Sequence, residues 1–103
     1  MREYVNNGIS YVVGCNAEDN WRLIGLSDRE STWVHLMDYP SCHVVIGIDK
    51  VEIEELEYAR ELIMSNTRKA PRTAGIVYSK IRDIKRGSKV GEVIVKKGGS
   101  IMN

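Results

Sequence analysis

The chain has 103 residues, 43% of them hydrophobic, with no Phe and a formal net charge of +1, a size that suits one core and is too short for two. No apolar run approaches the roughly 20 residues that cross a bilayer, and "MREYVNNG" has no targeting pattern, so a soluble, cytoplasmic protein with no membrane partner is expected. The two cysteines, Cys15 and Cys42, are few and unpatterned, and reduced thiols are expected of them.

In chain order, "ISYVV" at 9–13 is β-prone and ends at Gly14. "NAEDNWRLIGL" then reads as a short helix, with Asn16 as N-cap, Asp19 three residues on, and Gly25 near the end. Two β-prone runs, "TWVHLMD" and "SCHVVIGI", flank Tyr39 and Pro40. They suggest a hairpin, and Pro40 rules out a tight two-residue turn in favour of a longer loop. Asp49 and Glu52 mark a second helix start, followed by Ile53, Leu56, Ala59 and Ile63 at helical spacing with Glu54, Glu55, Glu57 and Glu61 on the wet side.

"SNTRKAPRT" breaks that helix and "AGIVYS" resumes as a strand. "KIRDIKRGSKVG" is a basic connection in which one helical turn would carry Ile81 and Ile84 inward. "EVIVKK" alternates like an edge strand, and "GGSIMN" turns into a last short one. The fold class expected is α+β: a single domain over 1–103, mainly antiparallel sheet with two helices, in the order β-α-β-β-α-β-β-β.

Charge is divided along the chain. Residues 1–64 hold 5 basic and 12 acidic residues, net −7, and residues 65–103 hold 10 basic and 2 acidic, net +8. Lys80, Arg82, Lys85, Arg86 and Lys89 lie within ten residues, with Arg68, Lys69 and Arg72 upstream and Lys96 and Lys97 downstream. If Ile81 and Ile84 face inward, these side chains project to solvent, where Arg and Lys bind phosphates by charge and hydrogen bonding. The bland alternative is a solvated basic face.

Other constellations are weaker. Trp33 and His35 share one strand face, opposite Val34 and Leu36; Cys42, Val44, Ile46 and Ile48 form the apolar set of the partner strand, with His43 on its other side. A loop centred on Tyr39 sets His35 across from His43, while an even-length loop pairs each with an aliphatic residue, and spacing does not choose between them. A zinc site from Cys15, Cys42, His35 and His43 lacks the short Cys-x-x-Cys spacing, and Cys42 beside His43 fails as a nucleophile–base pair because strand neighbours face opposite sides. Neither catalytic residues, metal nor cofactor are expected. A phosphate site at the first helix is opposed by Glu18 and Asp19, and Tyr11, Tyr58 and Tyr78 read as packing residues before they read as base-stacking ones.

The segments "VGCNAEDNWRLI", "TWVHLMDYPSCHVVI", "EYARELIMSNTRKA" and "YSKIRDIKRGSKVGEVIV", in this order, resemble the NFACT-R domain. That is the RNA-binding domain of ribosome-quality-control factors of the nuclear export mediator and fibronectin-binding-protein-A-like type. The matching positions are Gly14, Asn16, Ala17 and Asn20; Trp33 and His35; His43; Ala59 and Ser65; and Lys80, Lys85, Arg86, Gly91 and Val93. Departures are Cys15 where the family usually has Arg, Trp21 for an acidic residue, Ser31 for Asp and Ser41 for Gly.

The resemblance implies a stand-alone, non-enzymatic module that binds tRNA or ribosomal RNA in translation or ribosome quality control. Lys80, Arg82, Lys85, Arg86, Lys89, Arg68, Lys69 and Arg72 would contact phosphates, with Asn16, Asn20, Trp33, His35 and His43 beside them. DNA stays open as a partner because phosphate contacts carry little base information. The alternative is a protein-interaction adaptor whose acidic helix or basic face docks on a ribosome or translation factor.

Overall fold

The computed structural model describes residues 1–101; Met102 and Asn103, which end the "GGSIMN" segment, lie outside the described residues. The chain opens with a hairpin, β1 (Arg2–Asn6) and β2 (Ile9–Gly14). Its two-residue turn holds Asn7 at φ 53° and Gly8 at φ 75°, the left-handed pair of a type I′ turn, for which Asn-Gly is the favoured sequence. Helix α1 (Ala17–Leu26) follows, capped as expected by Asn16, whose Oδ1 accepts from the Asp19 N–H at 2.8 Å.

Strands β3 (Thr32–Leu36) and β4 (His43–Ile46) form the second hairpin, and α2 (Ile53–Asn66) leads to β5 (Ile76–Lys80). A 3-10 turn (Ile81–Asp83) enters the ribbon β6 (Ile84–Arg86) and β7 (Val93–Val95), and β8 (Gly99–Ile101) ends the described chain. The main sheet has the order β1-β2-β4-β3-β5-β8, and β6 pairs only with β7. All recorded pairings are antiparallel, so the α+β architecture with two helices matches the expectation.

Alternation divides the sheet's residues between two cores. Tyr11, Val13, Val34, Leu36, Val44 and Ile46 pack under Leu56, Ala59, Leu62 and Ile63 of α2. On the opposite face Trp33 and Val45 meet Leu23 of α1 and Ile81 and Ile84 of the connection. Ile81 and Ile84 are thus inward, as the pattern predicts. Burying an aliphatic side chain is worth roughly 1.5–3 kcal/mol, so these contacts outweigh any exposed ion pair in holding both helices.

Four expectations are corrected. The α2 start lies three residues later than predicted: Glu52 is the N-cap, its N–H donating to Glu55 Oε1 at 2.7 Å, and Asp49 instead meets Lys80. Ile53, read as inward, is 48% exposed because it precedes the first turn that lies on the sheet. Two strands, β1 and β6, were not anticipated.

The fourth concerns the cysteines, which form a Cys15–Cys42 disulfide in place of reduced thiols. Gly14 pairs with His43, so the next residues outward, Cys15 and Cys42, face one another across β2 and β4 at cross-strand distance. Neighbouring strands far apart in sequence were invisible to spacing alone. The bond closes a separation of 27 residues, worth about 3.5 kcal/mol by chain entropy. Reduction is therefore expected to lower the melting temperature by roughly 15–25 °C, measured by circular dichroism with and without dithiothreitol. A Cys15→Ser/Cys42→Ser variant should melt at the reduced value in both conditions, and a midpoint indifferent to reductant would contradict the tie.

Candidate nucleic-acid interface

The β3–β4 register settles the histidines. Thr32 pairs with Ile46, Trp33 with Val45 and Val34 with Val44, so the loop is centred on Tyr39 and His35 stands across from His43. Their ring centroids lie 4.7 Å apart, edge to face. Trp33 stacks nearly parallel to His35 at 5.8 Å and meets His43 edge-on at 5.5 Å, completing a three-ring cluster.

The Trp33 Nε1–H donates to His43 Nδ1 at 3.0 Å. An accepting Nδ1 carries no proton, so the neutral ring holds its hydrogen on Nε2. Burial, with the neighbouring His35, pushes His43 down to about 3, and burial also lowers His35. Both rings are therefore neutral hydrogen-bonding groups at neutral pH. Trp33 is itself only 3% exposed, so its part in the site is to hold His43.

Helix α1 brings Asn20 to the same place. Asn20 is 6% exposed, and its Oδ1 has no hydrogen-bond partner among the described residues. Gly14 makes room for it: a Cβ there would sit 2.8 Å from that oxygen. Across the opening, the β6–β7 loop supplies Val90 and Gly91. Gly91 has φ +89°, and a Cβ on it would lie 2.8 Å from Ala17 Cα, so glycine is needed there twice over.

Together Asn16, Asn20, His35 and His43, with Pro40, Ser41 and the β6–β7 loop, line a shallow cavity of about 260 Å³. The structure thus unites four residues expected at the site. Pro40 and Val90 were not expected there, and Ser41 and Gly91 entered only as positions compared with the family pattern; the turn chemistry of "RGSKVGE", folded by Ser88 N–H donating to Glu92 Oε1 at 2.8 Å, is the local signal of a compact loop.

The basic residues do not form one face. Lys80 Nζ is held by the Asp49 carboxylate and by the Asp49 carbonyl at 2.7 Å, and the Lys80 hydrogen bond keeps the Asp49 carboxyl below its usual range. Arg82 grips both Glu30 oxygens at 2.9 and 2.6 Å. These two cations, expected to meet phosphates, are largely neutralised at the sheet end marked by the Thr32–Lys80 pair.

Arg86 lies over the Trp21 ring at 5.3 Å and donates to the Trp21 carbonyl at 3.0 Å, while Trp21 Nε1–H donates to the Glu92 carbonyl at 2.9 Å. Arg86 therefore pins the ribbon to α1. Lys85 and Lys89 are exposed and make no ion pair among the described residues. Arg68, Lys69 and Arg72 are exposed on the loop before β5, whose Lys69 carbonyl accepts from Tyr39 OH at 2.9 Å, beside Pro40.

Strand pairing fixes which end is which. Gly14 with His43 and Leu36 with Ile76 put the cavity and the 67–75 loop at one end, and the contact of Gly91 with Ala17 brings the tip of the β6–β7 ribbon there too. Lys80, Arg82, Lys96 and Lys97 lie toward the other. Tyr11 is 1% exposed and packs edge-on against Tyr58 at 4.6 Å. Tyr78 packs against Gly99, where a Cβ would come within 2.6 Å of its ring. With Cys15 and Cys42 joined, neither offers a thiolate to a metal.

No helix among the described residues is long and apolar enough to cross a membrane. No family model matches the chain, and no curated protein matches it closely. Among solved structures it is similar to the C-terminal part of the fibronectin/fibrinogen-binding protein from Streptococcus suis, with a TM-score of 0.84 at 20% identity. The match covers 97% of this chain and 43% of that one, so the chain spans less than half of that structure's length. At this identity the likeness is one of fold, and the neighbour's name fits the type of factor that the motifs resemble.

The neutral histidines carry a pH signature. Unfolded, His43 takes a proton near its ordinary 6.5; folded, it stays neutral to about 3. Its contribution to stability is thus complete above pH 6.5 and is lost as pH falls through that window. Between pH 7 and pH 5 the loss should be about 2 kcal/mol, read by urea denaturation. His43→Gln, which keeps an acceptor for Trp33, should flatten that dependence; an unchanged slope would contradict the assignment.

Proposed function

We propose that this domain is a non-enzymatic RNA-binding module of the NFACT-R type, acting on tRNA or ribosomal RNA in translation or ribosome quality control. One observation carries the reading: the neutral cavity, the exposed cations of the 67–75 loop and the ribbon tip with Lys89 share one end of the sheet. The cations there bind phosphates as point charges or forks, while the cavity groups stand ready for bases or ribose. The fold likeness to the C-terminal part of a fibronectin/fibrinogen-binding protein supports the same reading.

The phosphate set differs from the expected one. Lys85, Lys89, Arg68 and Lys69 take that role, Arg72 stands beside them, Arg86 orients the ribbon, and Lys80 and Arg82 serve the opposite end. Three to four phosphate contacts predict that log K falls with log salt at a slope of roughly −2 to −4.

A second reading, a protein-docking adaptor, is favoured by the name of the structural neighbour, which says that protein binds fibronectin or fibrinogen. The surface for it is the exposed acidic face of α2, Glu54, Glu57 and Glu61.

Fluorescence anisotropy with labelled tRNA across salt separates the two. The RNA reading expects that steep slope and a loss of about tenfold or more in Lys85→Glu/Lys89→Glu, with Lys96→Glu/Lys97→Glu changing affinity far less. Absence of binding at low salt, or equal losses in both variants, would remove it. Retention on immobilised fibronectin that survives Lys85→Glu/Lys89→Glu and fails in Glu54→Lys/Glu57→Lys would establish the second.

A further inference from the structure

The cavity has a composition unlike that of a phosphate site. None of its lining residues, Cys15 to Ala17, Asn20, His35, Pro40, Ser41, His43, Val90 and Gly91, carries a charge at neutral pH, and Glu18 and Asp19 in the first turn of α1 repel an anion from the helix end. What the lining offers is one aromatic platform and a few neutral hydrogen-bonding groups. His35 rests on Trp33 through one side of its ring and, half-buried, forms part of the cavity wall. His43 has its Nδ1 engaged by Trp33, leaving Nε2–H as the donor. Asn20 adds a carboxamide whose buried Oδ1 lacks any partner among the described residues.

We propose that this cavity takes one unstacked nucleobase of single-stranded RNA, stacked on His35 and hydrogen-bonded along its edge by His43 Nε2–H and the Asn20 carboxamide. The inference rests on the RNA reading above and deepens it. A base edge presents acceptors and donors side by side, matching a ring N–H next to a carboxamide, and His is among the side chains on which splayed bases stack. The volume, about 260 Å³, lies below the roughly 300–1,000 Å³ of drug-sized pockets and is ample for one base. A paired base is unsuited, since its edge is occupied and its faces are stacked. Lys89 adjoins Val90 at the rim, and Arg68 and Lys69 lie beyond Tyr39, placed for the phosphates on either side of the inserted base.

The test uses the full chain with its disulfide intact, labelled with nitrogen-15. Titration with each of the four nucleoside 5′-monophosphates should shift the Trp33 indole N–H and the His35 and His43 ring signals, whereas ribose 5-phosphate should not. Binding of a single-stranded RNA should fall roughly tenfold in His35→Ala, about the size of one base stack, while binding of the paired duplex of the same sequence should hold. Val90→Trp, at a residue 53% exposed, fills the mouth without touching either core and should give the same selective loss if His35→Ala fails to fold. Equal shifts with ribose 5-phosphate, or equal losses for single strand and duplex, would overturn the base pocket and leave the RNA reading standing. Failure of the native chain to bind either RNA would overturn both.

Discussion

The site depends on the register of β3 against β4. Because side chains alternate every residue along a strand, a slip of β3 by one position would carry His35 into the aliphatic core under α2 and take Val34 out of it. Val34 and Val44, both fully buried, make that slip costly by several kcal/mol. The same pairing sets the Trp33 Nε1–H against His43 Nδ1, which selects the tautomer. A packing constraint on one face of the sheet thereby dictates the hydrogen-bonding character of the other.

Electrostatics are organised around this frame. The acidic half of the chain supplies Glu30 and Asp49, which meet Arg82 and Lys80 at the end of the sheet away from the cavity. Such exposed pairs are worth little individually, yet they cancel charge locally. Arg86, though exposed, is engaged by the Trp21 ring and carbonyl. Lys85 and Lys89 of the ribbon and Arg68 and Lys69 of the 67–75 loop project to solvent, so the basic residues are sorted by the fold into structural and surface-presented members.

Local patterns made much of this legible. Asn16 as a cap, the inward Ile81 and Ile84, the apolar face of α2 and the alternation of Trp33 and His35 against Val34 and Leu36 all follow from period and capping. The "VNNGIS" hairpin is equally legible, since Asn-Gly between β-prone residues is the strongest short-range turn signal. The Cys15–Cys42 bond, the neutralisation of Lys80 by Asp49 and the contact of Gly91 with Ala17 were not legible. Each joins segments whose proximity is set by strand order, and no periodicity within one segment reports which strands become neighbours.

The positions where the chain departs from the NFACT-R pattern bear on how the cavity is built. Cys15, in place of Arg, gives up a cation and gains a covalent tie from the start of α1 to the start of β4, fixing Asn16 and Asn20 relative to His43. Trp21, in place of an acidic residue, binds the Glu92 carbonyl and carries Arg86, holding the ribbon that brings Val90 and Gly91 to the opening. Ser41, in place of Gly, accepts from the Leu36 N–H at 3.2 Å and closes the β3–β4 loop beside Pro40. These three of the four departures act on the walls and leave the polar groups of the lining, Asn16, Asn20, His35 and His43, as the resemblance has them. On the RNA reading proposed above, selectivity rests on what fits between His35 and Val90, the two sides of that lining.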